Sequence, residues 1–155
     1  MASAGCLFIE NNSVLCGYAH RYASYTGFGG KALALESPLQ TAVRETVEEL
    51  YGIDLVGTMG QDFCKVLKEY PFHERKGYFF VRCPFSAISE FYEILSAHGI
   101  TSPYYKELPR NIDELISLRR PDFDAEIYDL AIKSTDSDEI HRYLKKDCIA
   151  MLNVN

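Results

Sequence analysis

The sequence contains no apolar run long enough to span a bilayer, so no membrane-spanning helix is predicted. Its beginning, MASAGCLFIENN, lacks both the basic stretch and the long apolar core of a secretory signal. Ala2 rather than glycine follows Met1, which excludes the usual myristoylation signal. These absences predict a cytoplasmic protein with no membrane partner.

Cysteine is too scattered for a disulfide framework or a zinc site. There are five cysteines, an odd number, and no two of them form a C-x-x-C pair. The four histidines are also far apart in the sequence. We therefore predict free thiols packed in the core of a protein from a reducing compartment, at Cys6, Cys16, Cys64, Cys83 and Cys148.

Positive charge is not in excess. Lysine and arginine total 16 against 22 aspartates and glutamates, for a formal net charge of −6. This balance predicts no broad attraction to polyanions, although it is compatible with a local basic strip. A hydrophobic content of 47% excludes general disorder. The length of 155 residues predicts a single domain over residues 1–155, which buries roughly two-thirds of its unfolded surface.

A well-marked helix is predicted within the stretch GKALALESPLQTAVRETVEELYGI, which runs from Gly30 to Ile53. Ser37 is placed as an N-cap, and Pro38 follows at the first helical position, where its missing N–H costs nothing. Gly52 stands where a left-handed C-terminal cap is expected. Apolar or small residues recur at the three- and four-residue spacing of one helical face: Leu39, Ala42, Val43, Thr46, Val47 and Leu50.

Three glutamates of this helix, Glu45, Glu48 and Glu49, lie away from the apolar face. Such a face is most often simply solvated, and that interpretation stays open. However, Glu45 and Glu49 are like charges one turn apart, which costs about 0.2–0.5 kcal/mol, and no lysine alternates with them. Glu48 and Glu49 also lie near the helix C-terminus, where the macrodipole disfavours anions by about 0.3–1 kcal/mol each. A bound hard cation such as Mg²⁺ would remove both penalties.

The segment resembles the Nudix box, G-x5-E-x7-R-E-U-x-E-E-x-G-U, in which U is an aliphatic residue. Two positions depart from the pattern: Thr46 replaces an aliphatic residue, and Tyr51 is an extra residue before Gly52. Both lie outside the acidic face, so the site is expected to be retained. The segment is also similar to Nudix proteins of large DNA viruses, which implies host cytoplasm as the location. The matching residues are Gly30, Glu36, Arg44, Glu45, Glu48 and Glu49.

The resemblance implies an α/β/α sandwich with a mixed central sheet and a loop–helix–loop catalytic motif, as a monomer or homodimer. It implies hydrolysis of a nucleoside diphosphate linked to another group, with Mg²⁺ or Mn²⁺. Carried over by position, Glu45, Glu48 and Glu49 would be metal ligands. Glu49 or Glu45 would also help to activate the attacking water.

Other residues of the segment would support this site. Glu36 and Arg44 would form the ion pair that holds the loop on the helix, which is close to the scaffolding role that such pairs often have. The preceding segment, residues 27–31, is predicted to be a glycine-rich loop in which Gly29 brings a backbone carbonyl to the metal. Lys31 would meet a phosphate oxygen. Gly30 is the first residue of the box and would have a structural role.

Nudix proteins often add a carboxylate from outside the box. Glu126 is the first candidate for this extra ligand or base and Asp124 the second, with an ordinary surface role as the alternative. Glu126 stands at the start of a predicted strand, residues 125–132. A predicted helix follows at residues 137–152, which would pack through Ile140, Tyr143, Leu144, Ile149 and Leu152.

The remaining elements are predicted from their periodicity. Residues 5–9 and 14–20 are expected to be strands joined by a turn at Asn11 and Asn12. A second strand pair is expected at residues 63–70 and 77–83. Helices are expected at residues 86–98 and 111–118.

Substrate-binding residues are less well marked. Tyr22 and Phe28 are candidates to stack on a base, although aromatic residues are more often part of the core. A basic strip beside the site is another possibility, with a solvated loop as the alternative for the adjacent pair Arg119 and Arg120. Its members would be Lys65, Lys68, Arg75, Lys76, Arg82, Arg110, Arg119 and Arg120.

Three functions are compatible with the sequence. The acidic charge, the compact size and the lack of an appended RNA-binding domain favour a pyrophosphohydrolase acting on free nucleotides or nucleoside diphosphate derivatives. The viral resemblance suggests instead an enzyme that removes the cap from capped RNA. The third is a non-catalytic nucleotide-binding module, in which the box glutamates would be expected to be lost.

Overall fold

The computed structural model describes residues 2–122 and 124–152, and seven strands and five helices form within them. No helix in this described part of the chain is long and apolar enough to cross a membrane. In chain order the elements are β1 (Ser3–Glu10), β2 (Ser13–Ala19), β3 (Ser24–Thr26), β4 (Phe28–Lys31), α1 (Pro38–Tyr51), α2 (Met59–Leu67), β5 (Phe72–Arg75), β6 (Tyr78–Cys83), α3 (Ala87–Ala97), α4 (Ile112–Ser117), β7 (Ile127–Ser134) and α5 (Arg142–Leu152).

The sheet is mixed, and β1 is its central strand. The first half of β1 pairs in parallel with β6 on one side and antiparallel with β4 on the other. Its last residues, Ile9 and Glu10, turn into a hairpin with β2. β2 then continues between β3 and β7, both antiparallel to it. The sheet therefore divides between Phe8, the last residue of β1 that pairs with β6, and Ile9, which pairs with β2.

Strand β1 is buried on both faces, which makes the molecule a sandwich. Cys6 and Phe8 point into a cluster formed with α1, α2 and α3, whereas Leu7 and Ile9 point into a second cluster with α5. A strand covered on both sides is expected to be apolar throughout, as this one is. The predicted α/β/α sandwich with a mixed central sheet is therefore confirmed.

Helix α1 begins and ends where its sequence predicts. The Ser37 hydroxyl accepts a hydrogen bond from the Gln40 backbone N–H, and the Gln40 side chain accepts one from the Ser37 N–H. At the other end Gly52 adopts a left-handed φ of 68°, and its N–H donates to the Glu48 carbonyl at 2.8 Å. These local caps fix the length of the helix that carries the three glutamates.

Several other predictions are confirmed with small shifts in their ends. The β1–β2 hairpin turns at Asn11 and Asn12, and β7 starts two residues later than expected. Helix α3 lies within residues 86–98, and Asn111 caps α4 through a hydrogen bond from the Glu114 N–H. Strands β3 and β4 were not expected, since the glycine-rich segment at residues 27–31 was predicted to be a loop.

The predicted strand at residues 63–70 is wrong. Residues 59–67 form α2, and the strand that pairs with β6 is β5, which begins only at Phe72. The reason is visible in the spacing of the buried side chains, since Met59, Phe63 and Leu67 recur every four residues rather than every two. Their helical face packs on α1 and α3.

The last helix begins later than predicted, and a different face of it is buried. Tyr25 of β3 binds the backbone of Glu139 and His141, which holds these residues extended, so α5 starts at Arg142. Tyr143 and Ile149, which were expected to pack inward, are instead exposed. The buried residues of α5 are Leu144, Cys148 and Met151.

We expect Gly52→Ala to lower the free energy of unfolding by about 2–4 kcal/mol, measured by urea denaturation. A Cβ there would lie 2.8 Å from the Tyr104 ring, in addition to the strain of the left-handed backbone. Gly99→Ala is the matched control, because Gly99 has φ of 66° and nothing within 4 Å of the added Cβ. It should cost about 1 kcal/mol. Equal losses in the two variants would show that the contact with Tyr104 contributes nothing.

Candidate metal centre

Glu49 lies at the junction between α1 and β4. Its carboxylate accepts a hydrogen bond from the Gly29 backbone N–H at 2.7 Å, and the residue is only 8% exposed. Burial raises the pKa of Glu49 well above its usual value, and the charges of Glu126, Glu45 and Glu48 raise it further. The Gly29 N–H acts in the opposite direction. The buried negative charge is thus only partly compensated.

Glu45 occupies space that exists because residue 30 is glycine. A Cβ on Gly30 would lie 2.4 Å from the Glu45 carboxyl carbon, well inside van der Waals contact. The same carboxylate accepts a hydrogen bond from the Arg44 guanidinium at 2.7 Å. Gly30 therefore lets β4 pass directly beneath the acidic face of α1, which is a physical reason for a glycine at this position.

Glu48 is the most open of the three glutamates. Its side chain is 57% exposed, and one of its oxygens lies 3.9 Å from the Arg44 guanidinium. Partial desolvation raises the pKa of Glu48, and the Glu45 charge adds to the effect. Asp54 and Glu126 act in the same direction. Glu48 thus presents its carboxylate to solvent at the edge of the acidic cluster.

Arg44 joins the segment before α1 to the helix. Its guanidinium donates to both oxygens of Glu36, at 2.7 and 3.1 Å, and to the Lys31 carbonyl at 2.9 Å. The hydrogen bond from Arg44 lowers the pKa of Glu36 to about 2, and the Leu33 N–H assists. The expected Glu36–Arg44 pair is present. Although no lysine alternates with the glutamates, their repulsion is partly offset within the helix, because Arg44 also contacts Glu45 and approaches Glu48.

A second arginine offsets the charge from outside the helix. Arg119 is buried and donates to the carbonyls of Glu49 and Leu50 at 3.2 and 2.8 Å, and to that of Ile127 at 2.9 Å. Its guanidinium also lies over the Tyr104 ring, 4.4 Å from the centroid. It therefore satisfies carbonyls at the C-terminus of α1, where a cation is electrostatically favoured. The sequence predicted either a place in a basic strip or a solvated loop for Arg119, and this buried role differs from both.

Glu126 lies near the acidic cluster, as the sequence suggests. It is exposed just before β7, and its charge raises the pKa values of both Glu48 and Glu49. Asp124 is exposed as well, but it has no such effect among the resolved pKa shifts. Of the two candidates, Glu126 is therefore the one that is electrostatically coupled to Glu48 and Glu49.

The donor set at this place suits a hard divalent cation. Carboxylate oxygens are the ligands that Mg²⁺ and Mn²⁺ prefer, and a cation would offset both the desolvation and the neighbouring negative charges that raise the pKa of Glu49. Within residues 2–122 and 124–152, no three acidic, histidine or cysteine side chains already converge on one point. Two carboxylates are instead engaged by the protein, Glu45 by Arg44 and Glu49 by the Gly29 N–H.

The three residues predicted to bind substrate differ in their exposure to solvent. Phe28 is only 1% exposed and packs edge-on against Phe8, so its predicted role as a stacking platform is wrong. Its neighbours on either side are glycines, and the alternation of the strand turns its ring into the core. Tyr22 is 48% exposed, and Lys31 is exposed at the end of β4.

The predicted basic strip is divided among separate hollows. Lys65 and Lys68 line a hollow between α1 and α2, whereas Arg82 lines another beside Tyr70. Arg75 and Lys76 line a third hollow, which reaches Gly29 and Gly30. Of these five residues, Arg75 and Lys76 are the two whose hollow includes the glycines beside the candidate metal centre.

Comparison with known proteins agrees with the fold. No protein-family model matches the sequence, and no curated protein matches it. A solved structure of a bifunctional NMN adenylyltransferase/ADP ribose pyrophosphatase from Francisella tularensis, complexed with AMP and a manganese ion, superposes with a TM-score of 0.52 at 14% identity. The match covers 97% of this chain and 40% of the Francisella chain. A NUDIX family hydrolase from Clostridium perfringens gives a TM-score of 0.41 at 11% identity, covering 97% of each chain.

At these identities the likeness concerns the fold alone. The first match supports the arrangement of sheet and helices that the Nudix resemblance implies. This chain spans two-fifths of the length of the Francisella protein, so the activities named for that protein do not transfer as findings.

We expect Arg119→Lys to lower the free energy of unfolding by about 2–4 kcal/mol in urea denaturation, because an ammonium cannot reach three carbonyls in this geometry. The neighbouring Arg120→Lys is the control, since Arg120 is exposed, and it should change stability by less than about 0.5 kcal/mol. Similar effects of the two substitutions would contradict the capping role of Arg119.

Proposed function

We propose that this protein is a divalent-metal-dependent pyrophosphohydrolase that cleaves the diphosphate linkage of a nucleoside diphosphate-linked small molecule. One observation carries the proposal: Glu49 is buried beside β4 with a raised pKa, amid the charges of Glu45, Glu48 and Glu126. Repulsion of this kind is costly in a structural role and is useful where a cation is to be bound.

The proposed metal ligands are Glu45, Glu48 and Glu49, together with the Gly29 carbonyl. A bound divalent ion would neutralise charge on the diphosphate and lower the pKa of a bound water. Proton removal from the attacking water is assigned to Glu49, Glu45 or Glu126. Of these three, Glu45 is ion-paired with Arg44, whereas Glu49 and Glu126 have no ion pair among the described residues.

Arg44, Glu36 and Lys31 have supporting roles in this proposal. Arg44 positions the segment before α1 through Glu36 and the Lys31 carbonyl, and it holds the Glu45 carboxylate until a cation competes for it. The Lys31 ammonium is assigned to a phosphate oxygen, because Lys31 is exposed directly after the two glycines of β4. A point charge suffices for such a contact.

The nucleotide-derived substrate class has independent support. The Francisella protein is named as an ADP ribose pyrophosphatase and is complexed with AMP and manganese, and it shares the fold. The net charge of −6 argues against extended contact with a polyanion such as RNA. A small nucleotide derivative is therefore the first choice.

Cleavage of the cap of RNA is the second candidate. It is favoured by Arg75 and Lys76, which form a local positive edge to a hollow that reaches Gly29 and Gly30. Phosphate contacts to an RNA chain would make the reaction strongly salt-dependent. A free nucleotide derivative would show a weaker dependence on salt.

The deciding experiment is Mg²⁺-dependent hydrolysis of a panel of nucleotide sugars, dinucleoside polyphosphates, nucleoside triphosphates and cap-labelled RNA at two salt concentrations. We expect turnover of a free nucleotide derivative with weak salt dependence. Glu49→Gln should lower kcat at least about 100-fold, because the amide keeps the Gly29 hydrogen bond but loses the charge. Glu93→Gln, at an exposed position on α3, is the control and should match the parent.

The outcomes separate the candidate functions. Salt-sensitive release of the cap that increases with RNA length would establish the second candidate. Equal turnover by the parent and Glu49→Gln would remove the acidic cluster from catalysis. Nucleotide binding without any turnover would support the third candidate function, a non-catalytic nucleotide-binding module.

The extra carboxylate is tested by a matched pair of neighbouring substitutions. We expect Glu126→Gln to lower kcat/KM by about tenfold or more, because Glu126 is electrostatically coupled to Glu48 and Glu49. Asp124→Asn should change it by less than about twofold. The reverse order of effects, measured by steady-state kinetics at saturating Mg²⁺, would assign the extra carboxylate to Asp124.

A further inference from the structure

A hollow of about 480 Å³ opens beside the candidate metal centre, and Gly29 and Gly30 form part of its wall. We call it the tyrosine hollow. The side chains that matter here come from three parts of the chain. They are Tyr22 from the β2–β3 turn, Arg75 at the end of β5 with Lys76 after it, and His141, Tyr143 and Asp147 from α5 and the residue before it.

Aromatic rings form one side of the tyrosine hollow. The His141 ring lies between two tyrosines, with its centroid 5.0 Å from that of Tyr22 and 5.0 Å from that of Tyr143. Both tyrosines stay open to solvent, with 48% of Tyr22 and 56% of Tyr143 exposed. The rings are tilted to one another, at 57° for Tyr22 and 46° for Tyr143 relative to His141, and the exposed parts of the two tyrosines offer aromatic surface on which another flat ring can stack.

Cations surround these rings, although the protein as a whole is acidic. The guanidinium of Arg21 lies 5.2 Å from the Tyr22 ring centroid, and that of Arg142 lies 5.1 Å from that of Tyr143. The Lys146 ammonium is 5.9 Å from the Tyr143 centroid. Lys76 also lines the hollow, as does Arg75, which is paired with Asp147. Cations outnumber carboxylates among these side chains, so the local field favours an anionic ligand.

The end of the tyrosine hollow is lined by two polar side chains that hold each other in place. Arg75 donates to the Asp147 carboxylate at 2.6 Å, and the two side chains are 31% and 15% exposed. The buried Nε of Arg75 has no hydrogen-bond partner among the described residues. This pair offers both donors and acceptors to the polar groups of a ligand.

The wall of the hollow that Gly29 and Gly30 form is adjacent to the acidic cluster. Gly29 and Gly30 carry no side chains there, and behind them lie the carboxylates of Glu49 and Glu45. The Tyr78 hydroxyl fills the position that a Cβ of Gly29 would need, at 2.6 Å. The hollow and the acidic cluster therefore share the backbone of Gly29 and Gly30, which lines the hollow and contacts Glu49 and Glu45.

We propose that the tyrosine hollow binds the nucleobase of the substrate, which stacks on Tyr22 and Tyr143 while its diphosphate crosses Gly29 and Gly30 towards Glu45 and Glu49. This proposal rests on the proposed function and adds to it the place where the base binds and the side chains that contact it.

The test measures binding without hydrolysis, so that it does not depend on catalysis. Isothermal titration calorimetry in the absence of metal compares AMP, GMP and UMP with ribose 5-phosphate, which has the same phosphate and sugar but no base. The parent should bind at least one nucleoside monophosphate about tenfold or more tightly than ribose 5-phosphate. Tyr143→Leu should abolish that preference, whereas Tyr143→Phe, which keeps the ring, should retain it.

Tyr92→Leu is the control, since Tyr92 is half-buried beside a separate hollow formed with α4, and it should keep the preference of the parent. Thermal denaturation checks that each variant is folded, and because Tyr143 is exposed its replacement should be tolerated. In kinetics with a base-bearing substrate, Tyr143→Leu should raise KM about tenfold with little change in kcat. A merely structural role would instead lower stability and kcat together.

Two results would overturn the proposal: equal affinity of the parent for nucleoside monophosphates and ribose 5-phosphate, or an unchanged preference in Tyr143→Leu. Failure of the proposed function gives a different pattern. In that case the base preference would persist in the calorimetry while Glu49→Gln and the parent show the same turnover, or none.

Discussion

Three carboxylates crowd the last two turns of α1, and much of the structure around the site counters their repulsion. Each cation or N–H that relieves it comes from a different place. Arg44 acts from within the helix, the Gly29 N–H acts from β4, and Arg119 binds the terminal carbonyls. These contacts also tie β4, the segment after it and the chain before β7 to one helix. The contacts that counter the repulsion in the acidic cluster therefore also fix the positions of these neighbouring segments.

The elements that the sequence predicted well are those with local signals. Helix α1 carries its own N-cap box and its own left-handed glycine, so its ends depend on no distant residue. Helix α2 was missed because a short apolar stretch fits both a strand and a helix, and only its burial against α1 and α3 decides between them. Strand β4 contains two glycines and forms because β1 offers a partner, which no local pattern can show.

The residues of the candidate site also differ in whether a local sequence signal could predict them. The glutamates and the Glu36–Arg44 pair lie within one short stretch, where spacing alone brings them together. Arg119 reaches α1 across 69 residues of sequence, and its role depends on where the chain before β7 passes. Phe28 was misplaced because the side chains of a strand alternate, whereas those of a loop do not. Tyr22 was a stacking candidate from the sequence, whereas Tyr143 was missed because the start and the buried face of α5 were predicted incorrectly.

The two proposed parts of the site share β4, and this explains why that strand is built from glycine. Side chains at residues 29 and 30 would collide with Tyr78 on one side and Glu45 on the other. Their absence leaves a bare strip of backbone between a cationic, aromatic hollow and an anionic cluster. A molecule that fits both ends must have a flat ring at one end and a charged group able to share a cation with carboxylates at the other. A nucleoside diphosphate has both, separated by a sugar, and a simple phosphate does not. The order of charges along β4 therefore argues for a nucleotide more strongly than either end does alone.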